Sequence, residues 1–582
     1  MSSKLFYLLG NEPLTAIEIE IPSDTNDEGL QHLLASHFAI VEPKGVGYVS
    51  GDVVLTSVPE VLAAQGPISV TIDGKPIRDV PGPTGLPYIG NYFEVYPDHL
   101  GNNQRLFDRY GPLFKTTNMG SVVYHTNDPQ LAGIFFSESD FFTKKMIPGH
   151  PLHPIKNKEA GVFLGDTDTE EWRVAHKFLP PALGPAAVRH YAPTMQSTVE
   201  DAFKVFDELD ERGEAWNAYW AMLKLGSQAV GKLVLGMDFK HFEKVDSPPH
   251  EMVIRIAQSL ELNKKVTSMG SWYAKMPFGA PQQLRNARER IEQMMIESVE
   301  NASKGDEDLE LQQAALTANN MVDYVLRAKD SKGNKLPRDR ILEPLVVATG
   351  AGFTTTSSLL SWLLYGLVTY PGVQDRLLQE LVDNGFDHET KMTADFTQKL
   401  TFLDYYIKVC STTHPLVSYH LIYRTLTNGE KIKETQRMHN PSYQPARTAK
   451  ADMILPGGYR LPKDAIVIPA LHSLHKNPLY WDNPQRFDPD RWGTEAVKNR
   501  PAGSYAPFGM GQRMCIGFNF ALQEVKVFLP KLLYRYEFES ATEGNVEYDP
   551  MFQLIRPTNL YLRARRRVKW PPRSEEATAA AC

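Results

Sequence analysis

Cysteine is scarce in this chain: there are three in 582 residues, Cys410, Cys515 and Cys582. Three cannot build a disulfide framework, which suits a reducing compartment. Long apolar runs are missing too. No stretch reaches the roughly 18 apolar residues of a membrane-spanning helix, so no transmembrane segment is expected. The N-terminus has only the short run Leu5 to Leu9 and no cleavage pattern, which excludes a secretory signal. No strong excess of either charge is present. The net charge is −7, so no global basic field points to nucleic acid. Internal repeats and long low-complexity tracts are absent. These absences lead to an expected cytoplasmic location, with peripheral attachment to the ER membrane as the alternative.

What is present falls into unequal parts. In residues 1–79, Leu5 to Leu9 reads as a strand, and Ile17, Ile19 and Ile21 alternate with acidic residues as in a half-buried strand. Leu30, Leu33, Leu34 and Phe38 have helical spacing. Ile68, Val70 and Ile72 alternate again before the turn Asp73-Gly74. This order predicts a small α+β module, possible as a β-grasp, ubiquitin-like unit; a decorated extension is the other reading. Val80-Pro-Gly-Pro83-Thr-Gly-Leu-Pro87 follows as a stiff linker. Beyond it helical patterns dominate, over 100–110, 170–190, 194–208, 216–236, 282–302 and 339–381. Strands are expected within 113–126, 451–469 and 552–565. Residues 80–570 are expected to form one large unit, and 571–582 a disordered tail.

Near the end stands Phe508-Gly-Met-Gly-Gln-Arg-Met-Cys515-Ile-Gly517. Glycines allow the backbone to turn close to a flat cofactor. Backbone N–H groups and a following helix N-terminus stabilise negative charge on sulfur. Arg513 is placed to pair with a carboxylate. A lone cysteine after a turn is ordinarily structural. Here, however, Phe508, Gly511, Arg513, Cys515 and Gly517 match every fixed position of F-x-x-G-x-R-x-C-x-G, the haem-ligand loop of the cytochrome P450 family. The resemblance extends over nearly all of the chain from about residue 84. It implies a mainly α fold with small β-sheets, haem b, and Cys515 as the axial ligand of the haem iron.

Other stretches carry the same resemblance. Trp172 and His176, one helical turn apart, match a pair that contacts a haem propionate, and Arg447 in Pro445-Ala-Arg447 matches a second propionate partner. Ala351-Gly352-Phe353-Thr354-Thr355-Thr356 resembles the oxygen-activating A-G-x-[D/E]-T-T. Gly352 would leave room for dioxygen, and Thr355 would hydrogen-bond it and relay protons. Thr354 stands where the family has an acid, so the proton route departs from the pattern. Phe163 corresponds to an aromatic that shapes the pocket in soluble fatty-acid hydroxylases. Glu434-Thr-Gln-Arg437 and Phe487-Asp-Pro-Asp-Arg491-Trp492 resemble E-x-x-R and F-x-P-x-R-W, implying a structural triad of Glu434, Arg437 and Arg491.

One segment breaks the pattern. Phe402-Leu-Asp-Tyr-Tyr-Ile-Lys408 is expected to run directly into Glu434 on one helix, yet residues 409–433 intervene. The insert contains Pro415 and Gly429 and shows no helical period. Val409-Cys410 permits GTNTGY, Leu426-Thr427 permits CTAAC, and Lys433 permits a terminal AG. These are the marks of a retained intron and imply a fungal gene; a surface insertion is the alternative.

The resemblance implies a monooxygenase that places one oxygen atom of O2 in an apolar substrate: a lipid, a fatty-acid-like chain or a secondary metabolite. Only 67 residues follow Cys515, so electrons are expected from a separate NADPH-dependent reductase rather than fused flavin domains. The basic end Arg563, Arg565, Arg566, Arg567 and Lys569 is read as a solvated strand end, with an acidic partner or membrane surface as the other option. Gly120-Ser121-Val-Val-Tyr124 lacks the arginine with which some relatives clamp a fatty carboxylate, which leaves neutral lipids and alkanes open. The missing acid beside Thr355 motivates a second reading, a hydroperoxide isomerase or peroxygenase. The interrupted helix motivates a third, a non-catalytic haem-binding protein.

Overall fold

The computed structural model describes residues 2–156, 161–302, 305, 307–407, 434–442 and 444–575. At the N-terminal end, strand β1 (Ser2–Leu8) pairs antiparallel with β2 (Ile17–Ile21) and parallel with β5 (Ile68–Ile72). β5 pairs antiparallel with β3 (Val46–Ser50), and β3 with β4 (Val53–Leu55), giving the order β2-β1-β5-β3-β4. Alternation on β5 sends Ile68, Val70 and Ile72 to one face. There they meet Phe6 and, from helix α1 (Asp27–His37), Leu30 and Leu34 in a closed apolar core. The Asn26 side chain caps α1 by accepting from the Gly29 N–H at 2.8 Å. β3, β4 and the short helix Val58–Ala63 escape the sequence reading, because Gly47, Gly51 and Asp52 interrupt their alternation.

This core is fastened to the remainder. Ile454 belongs to it, and its strand exchanges backbone bonds with Ala39 and Val41. The Gly457 N–H donates to the Asp73 carboxylate at 2.7 Å. The expected linker begins as a strand: Arg78–Asp79 lies parallel to Tyr459–Leu461.

The larger part is built around the central helix Leu342–Thr369, most of which is buried. It packs against helices Ala218–Val230 and Phe518–Arg535. Close approach is enforced at Gly226, where a Cβ would lie 2.8 Å from Ser357 Oγ. A five-stranded sheet orders Leu113–Asn118, Ser121–Thr126, Ile466–Pro469, Arg447–Ala449 and Phe142–Thr143. The architecture is helix-rich with small sheets.

Several expected boundaries shift for local reasons. The 339–381 pattern divides at Tyr370-Pro-Gly372 into Leu342–Thr369 and Val373–Asp383, because proline disfavours continuation and Gly372 takes φ +77°. The 170–190 pattern divides at prolines into Glu170–Phe178, Pro180–Leu183 and the start of Pro185–Arg212. Trp216–Asn217 is a strand edge rather than helix. Helix Glu251–Ser268 was not expected. The stretch read as a loose tail starts fastened: the Ser574 N–H donates to Asp383 at 2.7 Å and Pro572 accepts from Gln379. Residues 409–433 lie outside the described residues; the flanking helices Thr401–Ile407 and Glu434–Met438 pack together. Among the described residues, no helix is long and apolar enough to cross a membrane.

Candidate active site

The cysteine loop is closed by a 2.8 Å hydrogen bond from the Cys515 N–H to the Phe508 carbonyl. Gly509 and Gly511 hold φ of +72° and +73°, which side chains with a Cβ rarely adopt. The chain then enters helix Phe518–Arg535 directly after Gly517. The Cys515 sulfur is exposed, yet it sits deep enough that desolvation pushes its pKa up, while the Gly517 N–H and Lys144 draw it down. These facts agree if the thiol opens on an interior space rather than the outer surface.

The central helix has one incompletely covered face. Ala348, Ala351, Gly352 and Thr355, spaced three and four residues apart, form a stripe on an otherwise buried rod. The Thr355 hydroxyl donates to the Ala351 carbonyl at 2.7 Å. Thr354 lies off this stripe, 2% exposed, with its hydroxyl donating to Gly350 O at 2.6 Å. A Cβ on Gly352 would stand 3.2 Å from Val230 Cγ2. The geometry therefore ties Gly352 to close packing with helix Ala218–Val230, whereas the sequence reading gave it the task of leaving room for dioxygen.

Aromatic and cationic side chains gather beside the loop. Thr169 caps helix Glu170–Phe178 and presents Trp172 and His176 on one face, their rings stacked at 4.6 Å. The Arg513 guanidinium lies 5.1 Å from the Trp172 ring and donates to Thr167 Oγ1 and Gly165 O, both at 2.9 Å. Burial and the neighbouring Arg447 charge push Arg513 down to about 10. Burial, then Arg513, lowers His176. Lys144 Nζ sits 4.1 Å from the ring centroid of Phe163, a residue 40% exposed. Burial, Arg513 and Arg447 all push Lys144 well below the usual lysine range. Arg447, buried at the start of its strand, pairs with Glu138 at 3.3 Å. Trp172 Nε1 is buried with no acceptor within hydrogen-bond distance.

Glu434, Arg437 and Arg491 come together as expected from the sequence. Arg437 donates Nε and Nη2 to the two Glu434 oxygens at 2.8 and 2.7 Å, and Arg491 Nε donates at 3.1 Å. Trp492 Nε1 and the Asp488 N–H complete the carboxylate's shell at 3.1 and 2.9 Å. The basic end is largely neutralised: Arg565 pairs with Glu539, Arg567 with Glu537 and Arg566 with Asp207.

Sequence reasoning missed Lys144, Glu138, Glu343 and Glu524. Glu524, nearly two turns into the helix after the loop, is fully buried, and its carboxyl is pushed well above the usual range by desolvation, with Thr356 partly opposing. The Glu343 carboxyl, at the start of the central helix, is raised to about 7 by burial, against the pull of the 161–164 backbone. A charged residue inside an apolar run was the available signal in each helix. A cleft of about 500 Å³ between the ends of helices near Leu235, His250 and Asn301 contains none of the candidate residues.

The helix-rich fold thus carries one cysteine in a glycine loop and a threonine-bearing central helix. The chain belongs to the cytochrome P450 family. A family model described as Cytochrome P450 matches residues 80–421 and 429–563. The cytochrome P450 monooxygenase alnD of Emericella nidulans is 44% identical over 99% of this chain and 100% of its own length. The bifunctional cytochrome P450/NADPH–P450 reductase ascE of Acremonium egyptiacum is 26% identical over 84% of this chain and 43% of its own length. Human cytochrome P450 3A7 is 21% identical over 80% of this chain and 87% of its own. The chain is thus a cytochrome P450 monooxygenase with fungal homologues.

Proposed function

We propose that the protein binds haem b through Cys515 and inserts one atom of O2 into an apolar substrate, with electrons from a separate NADPH-dependent reductase. The observation that supports this reading is Cys515, exposed in a glycine-shaped loop, where burial raises its thiol and the Gly517 N–H and Lys144 partly oppose that rise. The surrounding groups fit a flat cofactor with two carboxylates. Trp172 has a buried indole N–H lacking an acceptor, and Arg447, Arg513 and Lys144 repel one another in a low-dielectric site. Two carboxylates would relieve that repulsion.

In this reading Trp172, His176, Arg447 and Arg513 hold the propionates, while Phe508 and Gly517 shape the loop around the ligand. Bound haem with a thiolate ligand supplies O–O bond cleavage and oxidation of an unactivated C–H bond. The Thr355 hydroxyl holds a proton next to the reacting oxygen. Ala351 and Gly352 keep the wall beside it thin, and Phe163 bounds the substrate space. Thr354 takes no direct part, since it is buried off the stripe that carries Thr355. Glu434, Arg437 and Arg491 brace the segments behind the loop. We also read residues 1–79 as a β-grasp, ubiquitin-like module and 80–570 as the catalytic domain; the β2-β1-β5-β3-β4 order with a parallel central pair supports the first.

The burial of Thr354, where an acid would stand, keeps a peroxide-using isomerase or peroxygenase as the second reading. Haem-loaded protein incubated with a lipid panel separates the two. Turnover that requires NADPH, reductase and O2 supports the monooxygenase; turnover with peroxide alone supports the second reading.

A further inference from the structure

The net charge of the chain is concentrated in its N-terminal sheet. Residues 1–79 hold eleven Asp and Glu against four Lys and Arg, a net charge of −7 that equals the value for the whole chain, so residues 80–582 are balanced. The strand registers set Tyr7, Ser69, Val49 and Val54 side by side across β1, β5, β3 and β4. Leu5 shares their face by the two-residue alternation of β1 and stands opposite Glu18 of β2, with Ser3 opposite Glu20. Helix α1 and the short helix Val58–Ala63 bury their apolar residues in the core on the other face. Val54 is 67% and Leu5 42% exposed. Among the described residues, no Lys or Arg of the five strands stands on this face; Glu18 and Glu20 line its β2 edge, and Asp52 sits in the β3–β4 turn. The four cations lie elsewhere. Lys4 reaches back to the Ala64 carbonyl at 2.6 Å, Arg78 covers the Tyr459 ring, and Lys44 and Lys75 occupy the turns at the fastened end of the sheet. Ala39, Val41, Asp73 and Arg78–Asp79 fasten the sheet to the larger part, and none of them stands on this face.

We infer that this sheet face docks a different protein, one whose contact surface has an apolar centre and a rim of lysine or arginine. An uncovered apolar patch rimmed by charge is the usual form of a protein-binding surface. The charge selects the partner. A second copy of this chain matches badly, because a two-fold pairing through this face would bring Glu18 and Glu20 toward their own counterparts. The basic end of the chain offers no head-to-tail complement either, since Arg565, Arg566 and Arg567 already pair with Glu539, Asp207 and Glu537. Nucleic acid and anionic lipid would both meet carboxylates of their own sign. A basic protein is instead drawn in by the field of the acidic residues, and burial of Val54 and Leu5 then adds short-range attraction.

The test uses the haem-loaded full chain and three short peptides, which alternate lysine with valine, lysine with serine, and glutamate with valine. Affinity is read by calorimetry at two salt concentrations, and the contact by hydrogen-exchange protection. The lysine–valine peptide is expected to bind about tenfold or more tightly than either of the others, to weaken with salt, and to protect β1, β3 and β4. Val54→Asp should weaken it about tenfold even though it adds negative charge, and the double substitution Glu18→Lys with Glu20→Lys should abolish binding. Unchanged unfolding midpoints and CO spectra confirm that these variants fold. Equal affinity for the two lysine peptides in the unsubstituted protein, a comparison that needs no variant, would overturn the inference. So would protection confined to other elements, or binding that survives both sets of substitutions. Self-association of the full chain in sedimentation runs, dispersed by Val54→Asp, would assign the face to a second copy and overturn it as well.

Discussion

Glu434 accepts from two guanidinium groups, an indole and a backbone N–H while fully buried. Such an arrangement is costly to break from one side, because the partners remain buried and charged. Glu434→Ala should lower stability by about 3–5 kcal/mol, read by urea unfolding with haem content recorded. Glu343 gives a pH signature. Its carboxyl is raised to about 7, above the ordinary value of roughly 4.3, so the folded state holds the proton more tightly. Its contribution is complete below the ordinary value and is lost as pH rises through 7. The stability of the native protein relative to Glu343→Gln should therefore fall between pH 5 and 8 in unfolding titrations. A flat difference would contradict the assignment.

At the scale of elements, helices Thr401–Ile407 and Glu434–Met438 pack together although 26 residues separate them in the chain. Deleting 409–433 joins Tyr-Tyr-Ile-Lys408 to Glu434-Thr-Gln-Arg437. The shortened chain should retain haem and unfold at the same or a higher temperature. Loss of haem binding on deletion would favour a genuine insertion. Elements differ in how far the sequence disclosed them. The cysteine loop and the Glu434 triad were legible, since each depends on residue types at fixed spacing. The strand β5 was legible because Ile68, Val70 and Ile72 alternate without interruption. Strands β3 and β4 were hidden by glycines, and helix Glu251–Ser268 by polar residues such as Asn263 and Lys264 on its buried side. The packing of Gly352 against Val230 was not legible, because local sequence cannot reveal which helix lies beside it.

Across the whole molecule, the N-terminal sheet is not an independent appendage. Its core includes Ile454, Asp73 holds Gly457, and Arg78–Asp79 extends the Tyr459–Leu461 sheet. Scanning calorimetry should give one cooperative transition, and Asp73→Ala should lower its midpoint; two resolved transitions would contradict the coupling. In the proposed function the large part holds Cys515 for haem, with Trp172, Arg447, Arg513 and Lys144 around the cofactor. The most direct test of that account is the reduced-CO difference spectrum of the haem-loaded protein. A thiolate-type Soret band in the native chain, absent in Cys515→Ser, is the predicted result. An unchanged band in Cys515→Ser, or no thiolate band in a native chain with full haem content, would contradict it.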